Sequence, residues 1–323
     1  MGGIAAYLKE VAEAFAKCGH KVTVIAASDD TRLEYEEEIN GVRVIRLKGG
    51  DFINSSIESS LLGFRKFRMI YRFHSYRRRI RKAILSLQDV DVIEVGEYGA
   101  EAFYLFDLDI PITIRLHTPA LLDRNTSTLR KCSLSYAHEY WVGKKELQLM
   151  PKAKAITSCS HSLLNWMRKY VSQITPNAHV IYNPVNTNSW DFERDNSYDE
   201  YSVLFVGTVA ESKGVGDLVE ACAGLHRQGI SVVLTIAGKL GTYGRQLMDS
   251  CGSLGYDWCR FTGHLSRKEL KELYKKNKVS CFPSWWENMP MVCLEAMAVG
   301  NLVIGSSNGG MAEIITDGED GYL

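Results

Sequence analysis

The sequence predicts an α/β protein made of two domains, each a doubly wound parallel sheet. Three observations carry that reading. At 323 residues the chain is longer than one core usually organises. Apolar strand-like runs such as Val42–Leu47, Ile112–Leu116, Val203–Val206 and Val279–Phe282 alternate with helical segments, the pattern of a parallel sheet covered by helices. Charge also divides the chain: residues 1–184 carry a net +6 and residues 185–323 a net −6. This asymmetry suggests that the first half meets an anionic partner, and the polar segment Asp191–Glu200 reads as a linker between the halves.

Composition excludes several classes. With 46% hydrophobic and 24% charged residues the chain is ordinary globular protein. It has no run of 18 apolar residues and no secretory signal before its first helix. The eight cysteines form no C-x-x-C pair and read as reduced core thiols of a cytoplasmic protein. Asp89 and Asp91 flank the start of a strand and read as a polar lead-in, so no metal is expected.

In the first domain, Gly2–Gly3 opens an amphipathic helix with Ile4, Leu8, Val11 and Phe15 on one face and Gly19 as its stop. Strands follow at Val22–Ala26 and Val42–Leu47. Residues 59–87 read as one long helix, with Phe64, Phe67, Tyr71, Ile80, Ile84 and Leu87 able to share an apolar face. Within it, Arg65–Lys82 holds nine Lys and Arg. A solvated basic face, an anionic membrane surface and a nucleic acid compete as its partner; no recognised module supports the last, and none is expected. Strand Val90–Val95, a helix from Tyr98, and strand Ile112–Leu116 come next, the last ending in His117 at the ligand-bearing edge of a parallel sheet. Strand Ala155–Ser158 and a helix capped by Ser160 continue the alternation.

In the second domain, strand Val203–Val206 leads to Gly207–Thr208 and Lys213–Gly214, then a helix. Strands Val232–Ala237, Arg260–Thr262 and Val279–Phe282 follow. The stretch Pro283–Gly300, PSWWENMPMVCLEAMAVG, is the most informative. Pro290 at the first helical position and Gly300 past the end bound a short helix. Glu287 lies before that helix and Glu295 about one turn inside it. The N–H groups of Met291, Val292 and Cys293 belong to the first turn and lack intrahelical acceptors, which makes a seat for phosphate. Carboxylates on either side suit a ligand anionic at its middle and hydroxyl-rich at both ends, as a sugar nucleotide is.

Residues 279–323 closely resemble the donor site of retaining GT-B glycosyltransferases, notably glycosyltransferase family 4, whose paired acids are spaced Glu-x7-Glu, and a weaker resemblance covers nearly the whole chain. It implies two Rossmann-like domains facing across a cleft, residues 1–184 on the acceptor side and 185–323 binding the donor. It implies transfer of a hexose from a nucleotide-diphosphate sugar to a glycan, lipid-linked or other hydroxyl acceptor, with retention, no metal and no cofactor beyond the donor substrate. By the same resemblance His117 and Glu287 are the catalytic candidates. Gly3, Lys213, Met289, Met291, Val292 and Glu295 are the donor-binding ones, with Glu295 on the ribose and Lys213 on the diphosphate. The resemblance also implies a first strand before Gly3 and a last helix after Leu323, neither of which this sequence contains. Thr208 stands where the family has an Arg. Pro184 and Asn186 depart from the family's interdomain crossing. An epimerase or hydrolase of the same fold, a non-catalytic sugar-nucleotide-binding protein and a nucleic-acid-binding interaction protein are the alternatives. The expected location is cytoplasmic, with peripheral attachment at the inner face of the membrane through Arg65–Lys82.

Overall fold

The computed structural model describes residues 3–28, 30, 32–49, 62–133, 137–171, 173–190 and 201–323, with 62–68 described by their backbone alone. Gly2, residues 59–61, the side chains of Phe64, Phe67 and the basic residues at 65, 66 and 68, and the polar segment at 191–200 lie outside these. The chain forms two compact units and passes from the first to the second between Tyr182 and Asn183.

Unit 1 runs α1 (Gly3–Lys17), β1 (Thr23–Ala27), β2 (Tyr35–Ile39), β3 (Val42–Leu47), α2 (Leu62–Leu85), β4 (Ile93–Gly96), β5 (Ile112–Leu116), β6 (Leu122–Asp123), β7 (Thr128–Leu129), α3 (Ala137–Leu149), β8 (Ala155–Ser158), α4 (His161–Tyr170) and β9 (Ala178–Val180). Its main strands fall into two sheets, β1-β3-β2 and the all-parallel β4-β5-β8-β9, with β6 and β7 a small hairpin of their own. β1 is parallel to β3, while β2 is antiparallel to it. That antiparallel pair turns at Asn40–Gly41, both with positive φ, an Asn-Gly hairpin turn whose twist suits paired strands.

Three expectations for this unit need correction. α1 buries Tyr7 and Ala12, and leaves Ile4, Leu8 and Phe15 exposed; the face that meets the unit is the one bearing Tyr7, whose hydroxyl donates to Glu94 at 3.1 Å. In α2 the buried stripe is Phe73, Tyr76, Arg77, Ile80 and Ile84, and Tyr71 is exposed, because those buried positions repeat at helical spacing and Tyr71 falls off them. No α-helix starts at Tyr98: residues Tyr98–Tyr104 form 3-10 turns interrupted by left-handed backbone at Gly99 and Ala100. Ser160 does cap α4, its hydroxyl accepting the Leu163 N–H at 3.1 Å.

Unit 2 runs β10 (Ser202–Val206), α5 (Val215–Arg227), β11 (Val233–Ala237), α6 (Thr242–Ser253), β12 (Cys259–Gly263), α7 (Arg267–Lys276), β13 (Val279–Phe282), α8 (Met291–Ala298), β14 (Leu302–Gly305) and β15 (Gly321–Tyr322). The six strands are parallel in the order β12-β11-β10-β13-β14-β15. This is the 3-2-1-4-5-6 order of a doubly wound sheet, and its switch point lies between β10 and β13. Side chains alternate along β10: Leu204 and Val206 face a core shared with Cys293, Ala296 and Val299 around α8, whereas Phe205 faces one shared with Val215, Val219 and Cys222 of α5. Period-two alternation thus puts one helical layer on each face. Crossovers at a switch point leave a crevice at the strands' carboxyl ends, where ligands of such sheets bind.

Candidate functional site

Two loops leave the sheet at that point, one after β10 and one after β13, and they are stitched together. Gly214 has φ 65°, and a β-carbon there would lie 2.0 Å from the Pro283 carbonyl oxygen, so only glycine permits the approach. The Trp285 N–H donates to the Ser212 carbonyl at 3.0 Å. Lys213, next to Gly214, is thereby brought onto Glu287, and its Nζ pairs with Oε1 of that carboxylate. The Ser284 hydroxyl donates to the same oxygen at 3.0 Å. The Glu287 backbone is held from the other side, its carbonyl accepting the Gly310 N–H at 2.7 Å. Gly309 has φ 74°, and a β-carbon there would sit 2.2 Å from that carbonyl. Asn183 donates to the Met289 carbonyl at 3.0 Å, and Trp286 to Asn288 Oδ1 at 2.7 Å, fixing the approach to α8.

At the start of α8 the structure amends the sequence reading twice. Pro290 is the N-cap, with extended ψ, and Met291 is the first helical residue. The Cys293 N–H is taken by the Pro290 carbonyl at 3.1 Å, so the first turn tightens and removes one of the three expected donors. The N–H groups of Met291 and Val292 have no hydrogen bond among the described residues. Glu295 is half-buried in the second turn. It stands near Tyr274, whose phenol is buried, donates to the Val292 carbonyl at 3.1 Å, and is held protonated by burial and then by the Glu295 charge. Burial, followed by the Glu287 charge, likewise pushes the Cys293 thiol up to about 12. The two acids therefore bear on one short helix, with two backbone donors at its start and one lysine beside the nearer acid. Thr208 is exposed at the end of β10.

In unit 1, His117 directly follows β5 and is buried. Its ring meets that of Tyr7 edge-on, centroids 4.9 Å apart. Burial, and then the neighbouring Arg115, hold the imidazole down to about 3, so it is neutral at physiological pH. Gly3 is the first residue of α1 and is exposed. The sequence reading missed Ser284, Asn183, Gly309 and Tyr274, which position the candidate acids and helix, and also missed Glu97 and Glu146, two buried carboxyls behind His117. Burial and Glu146 push Glu97 up to about 8, and burial pushes Glu146 up to about 7, in both cases against the N–H groups they accept. No group of three or more His, Cys, Asp or Glu among the described residues is arranged to hold a metal.

Residues 1–189 match the profile of Glycosyltransferase Family 4, and residues 186–323 that of Glycosyl transferases group 1. The chain belongs to Glycosyltransferase Family 4 and is a glycosyltransferase. It is 27% identical to an uncharacterized glycosyltransferase of Methanocaldococcus jannaschii, over 98% of this chain and 79% of the relative. It is 26% identical to a glycogen synthase of Mycobacterium tuberculosis, over 99% and 78%. Among solved structures, sucrose-phosphate synthase of Thermosynechococcus elongatus superposes with a TM-score of 0.77 at 20% identity, covering 100% of this chain and 80% of that one. A UDP-forming trehalose-phosphate synthase of Burkholderia xenovorans superposes with a TM-score of 0.71 at 15% identity, over 97% and 84%. These likenesses establish the GT-B fold for the chain.

Proposed function

We propose that this protein is a retaining glycosyltransferase that moves a hexose from a nucleoside-diphosphate sugar to a hydroxyl acceptor, a glycan or a lipid-linked sugar. Unit 2 is assigned the donor and unit 1 the acceptor. The observation that carries the reading is the switch-point arrangement: Glu287 and Glu295 on either side of a helix start whose Met291 and Val292 N–H groups have no hydrogen bond among the described residues. Such donors, with Lys213, stabilise negative charge on a departing diphosphate, and one well-placed donor of this kind is worth about 10²–10³ in rate. Met289 presents the backbone that enters the helix. Glu295 is assigned to the ribose hydroxyls, Glu287 to a hexose hydroxyl, and Gly3 to close backbone approach at a phosphate. His117, neutral and at a strand end, is assigned to the sugar as a hydrogen-bonding group without charge. Relatives support a nucleotide-sugar donor: one structural neighbour is described in complex with UDP and glucose, and another bound with UDP-2-fluoro glucose. The reaction as proposed uses no metal and no cofactor.

The test is Glu287→Ala. The variant should melt as a folded protein and release no nucleoside diphosphate from UDP-glucose, GDP-mannose or ADP-glucose when hydroxyl acceptors are supplied. Turnover close to that of the unaltered protein contradicts the assignment.

A second reading concerns location. Ile70 and Tyr71 are exposed on α2 beside exposed Arg72, Arg78 and Lys82, a combination that suits an anionic membrane surface. Arg77 is buried, Arg79 pairs with Glu34 and Arg81 with Asp107, so the docking face we propose is narrower than the whole basic stretch. Among the described residues no helix is long and apolar enough to cross a membrane. Co-sedimentation with phosphatidylserine vesicles should fade with salt; equal binding to neutral vesicles contradicts the electrostatic form.

A further inference from the structure

Unit 1 holds a buried polar network that the donor assignments do not use. Glu97 directly follows β4 and is almost fully buried. It accepts the His117 N–H on its two oxygens at 2.9 and 2.8 Å, and the Thr118 N–H on Oε1. Glu146, in the third turn of α3, is fully buried. Its Oε1 accepts the Gly99 N–H at 2.7 Å and its Oε2 the Ala120 N–H at 2.8 Å. Between them the two carboxyl groups take three N–H groups of the turn that leaves β5. Arg77 of α2 holds the opposite face of the Gly99–Ala100 kink, donating to both carbonyls and to that of Phe73. The kink is left-handed at both residues, Gly99 with φ 76° and Ala100 with φ 53°; for Ala that conformation persists only where the surroundings impose it.

Buried carboxyl groups are costly to desolvate whether or not they hold a proton, and are poor devices for stability alone. Here their oxygens are matched to N–H groups of two irregular segments, which no apolar substitute could register. We infer that Glu97 and Glu146 are positioning residues that hold the His117–Ala120 turn, and through it the His117 ring, in its working orientation. This rests on the sugar-facing role proposed for His117. The chemistry predicts an order of effects. An amide in place of Glu146 must turn its NH2 toward either Gly99 or Ala120 and lose that contact. In place of Glu97, an amide can keep its carbonyl on both the His117 and Thr118 N–H groups through one oxygen, so Glu146→Gln should act more strongly than Glu97→Gln.

The experiment has two arms, each applied to both Gln variants in the full chain. In the first, the imidazole C–H signal of His117 is followed by NMR without substrate: a displaced signal in Glu146→Gln supports the clamp, and signals unmoved in both variants overturn it. In the second, release of nucleoside diphosphate from UDP-glucose, GDP-mannose and ADP-glucose is measured with acceptors present. A fall in kcat of about tenfold or more with donor KM within about twofold supports a positioning role. Unchanged kcat overturns it, and so does a loss that merely follows a lowered folded fraction. Where Glu146→Gln does not fold, Glu97→Gln, which keeps more of its contacts, carries both arms. Should the unaltered protein release nothing from any donor, the proposed function fails while the NMR arm still decides the clamp.

Discussion

A single methyl group pressed against the backbone of Glu287 should disable this protein. Gly309→Ala puts a β-carbon 2.2 Å from the Glu287 carbonyl oxygen and 3.2 Å from the Glu287 nitrogen and carbonyl carbon, at φ 74°, ψ −143°. Neither the torsions nor the space accepts it. The backbone must open by about 1 Å to reach ordinary carbon–oxygen contact, and the natural escape breaks the Gly310 N–H to Glu287 carbonyl bond. Strained backbone of this kind costs about 1–3 kcal/mol, and the lost hydrogen bond adds about 0.5–1.5. The sum is on the order of 2–4 kcal/mol of stability, lost by unit 2. Function should suffer more, because a shift of about 1 Å in a positioned group can lower turnover by about 10². Thermal melting and release of nucleoside diphosphate are the assays. Gly252→Ala is the control: a helical glycine of the same unit with nothing within 4 Å of its added carbon, it should gain about 0.5–1 kcal/mol. Gly309→Ala with unaltered melting and turnover within about threefold of the parent refutes the idea that this backbone contact sets Glu287.

Three further outcomes follow from the same geometry. Glu295→Ala should raise the donor KM by about 10–100-fold with a smaller change in kcat, as loss of a charged acceptor is worth about 1.5–3 kcal/mol; a kcat loss at unchanged KM would reassign that residue. Lys213→Met should weaken binding of UDP, GDP or ADP alone, read as a smaller thermal stabilisation by the nucleotide; an undiminished shift removes Lys213 from the phosphate. The third concerns pH. Glu97 and Glu146, raised to about 8 and about 7, hold protons that the unfolded chain releases above about 4.5, so their stabilisation is lost as pH rises through 7 and 8. His117, lowered to about 3, works in reverse, its contribution being lost as pH falls below about 6.5. Urea unfolding between pH 6.5 and 8.5 should therefore show a decline on the order of 1–3 kcal/mol that Glu97→Gln reduces; a decline unaffected by that change assigns it to other groups.

What could be read beforehand was whatever local pattern controls. The strands of unit 2 are apolar runs flanked by glycine and polar residues, and α8 is bounded by Pro290 and Gly300, so their positions follow from short-range chemistry. The loop position of Glu287 and the helical position of Glu295 were legible for the same reason. The burial of Glu97 and Glu146 was not. Nothing in VGEYG or GKKELQL distinguishes a carboxyl buried against backbone N–H groups from one in water, because the difference is made by segments 20 to 47 residues away. The exposed and buried faces of α1 were exchanged for a related reason: periodicity finds an apolar stripe, but Tyr7 faces inward because Glu94 and Arg115 offer its hydroxyl and ring specific partners. The Asn40–Gly41 turn has a local signature, but the acidic run YEEEI hides its first strand, which lies on a sheet edge.

The pairing of Lys213 with Glu287 has a consequence for how a donor would enter. On the proposed assignments, an arriving phosphate competes with an internal counter-ion, so the affinity measured for a bare nucleotide is reduced by whatever the resident pair is worth. The exchange also releases a carboxylate at the moment a sugar hydroxyl arrives to occupy it. A nucleotide without its sugar would then leave that acid unsatisfied, and the intact donor should bind more tightly than the sum of its two halves suggests.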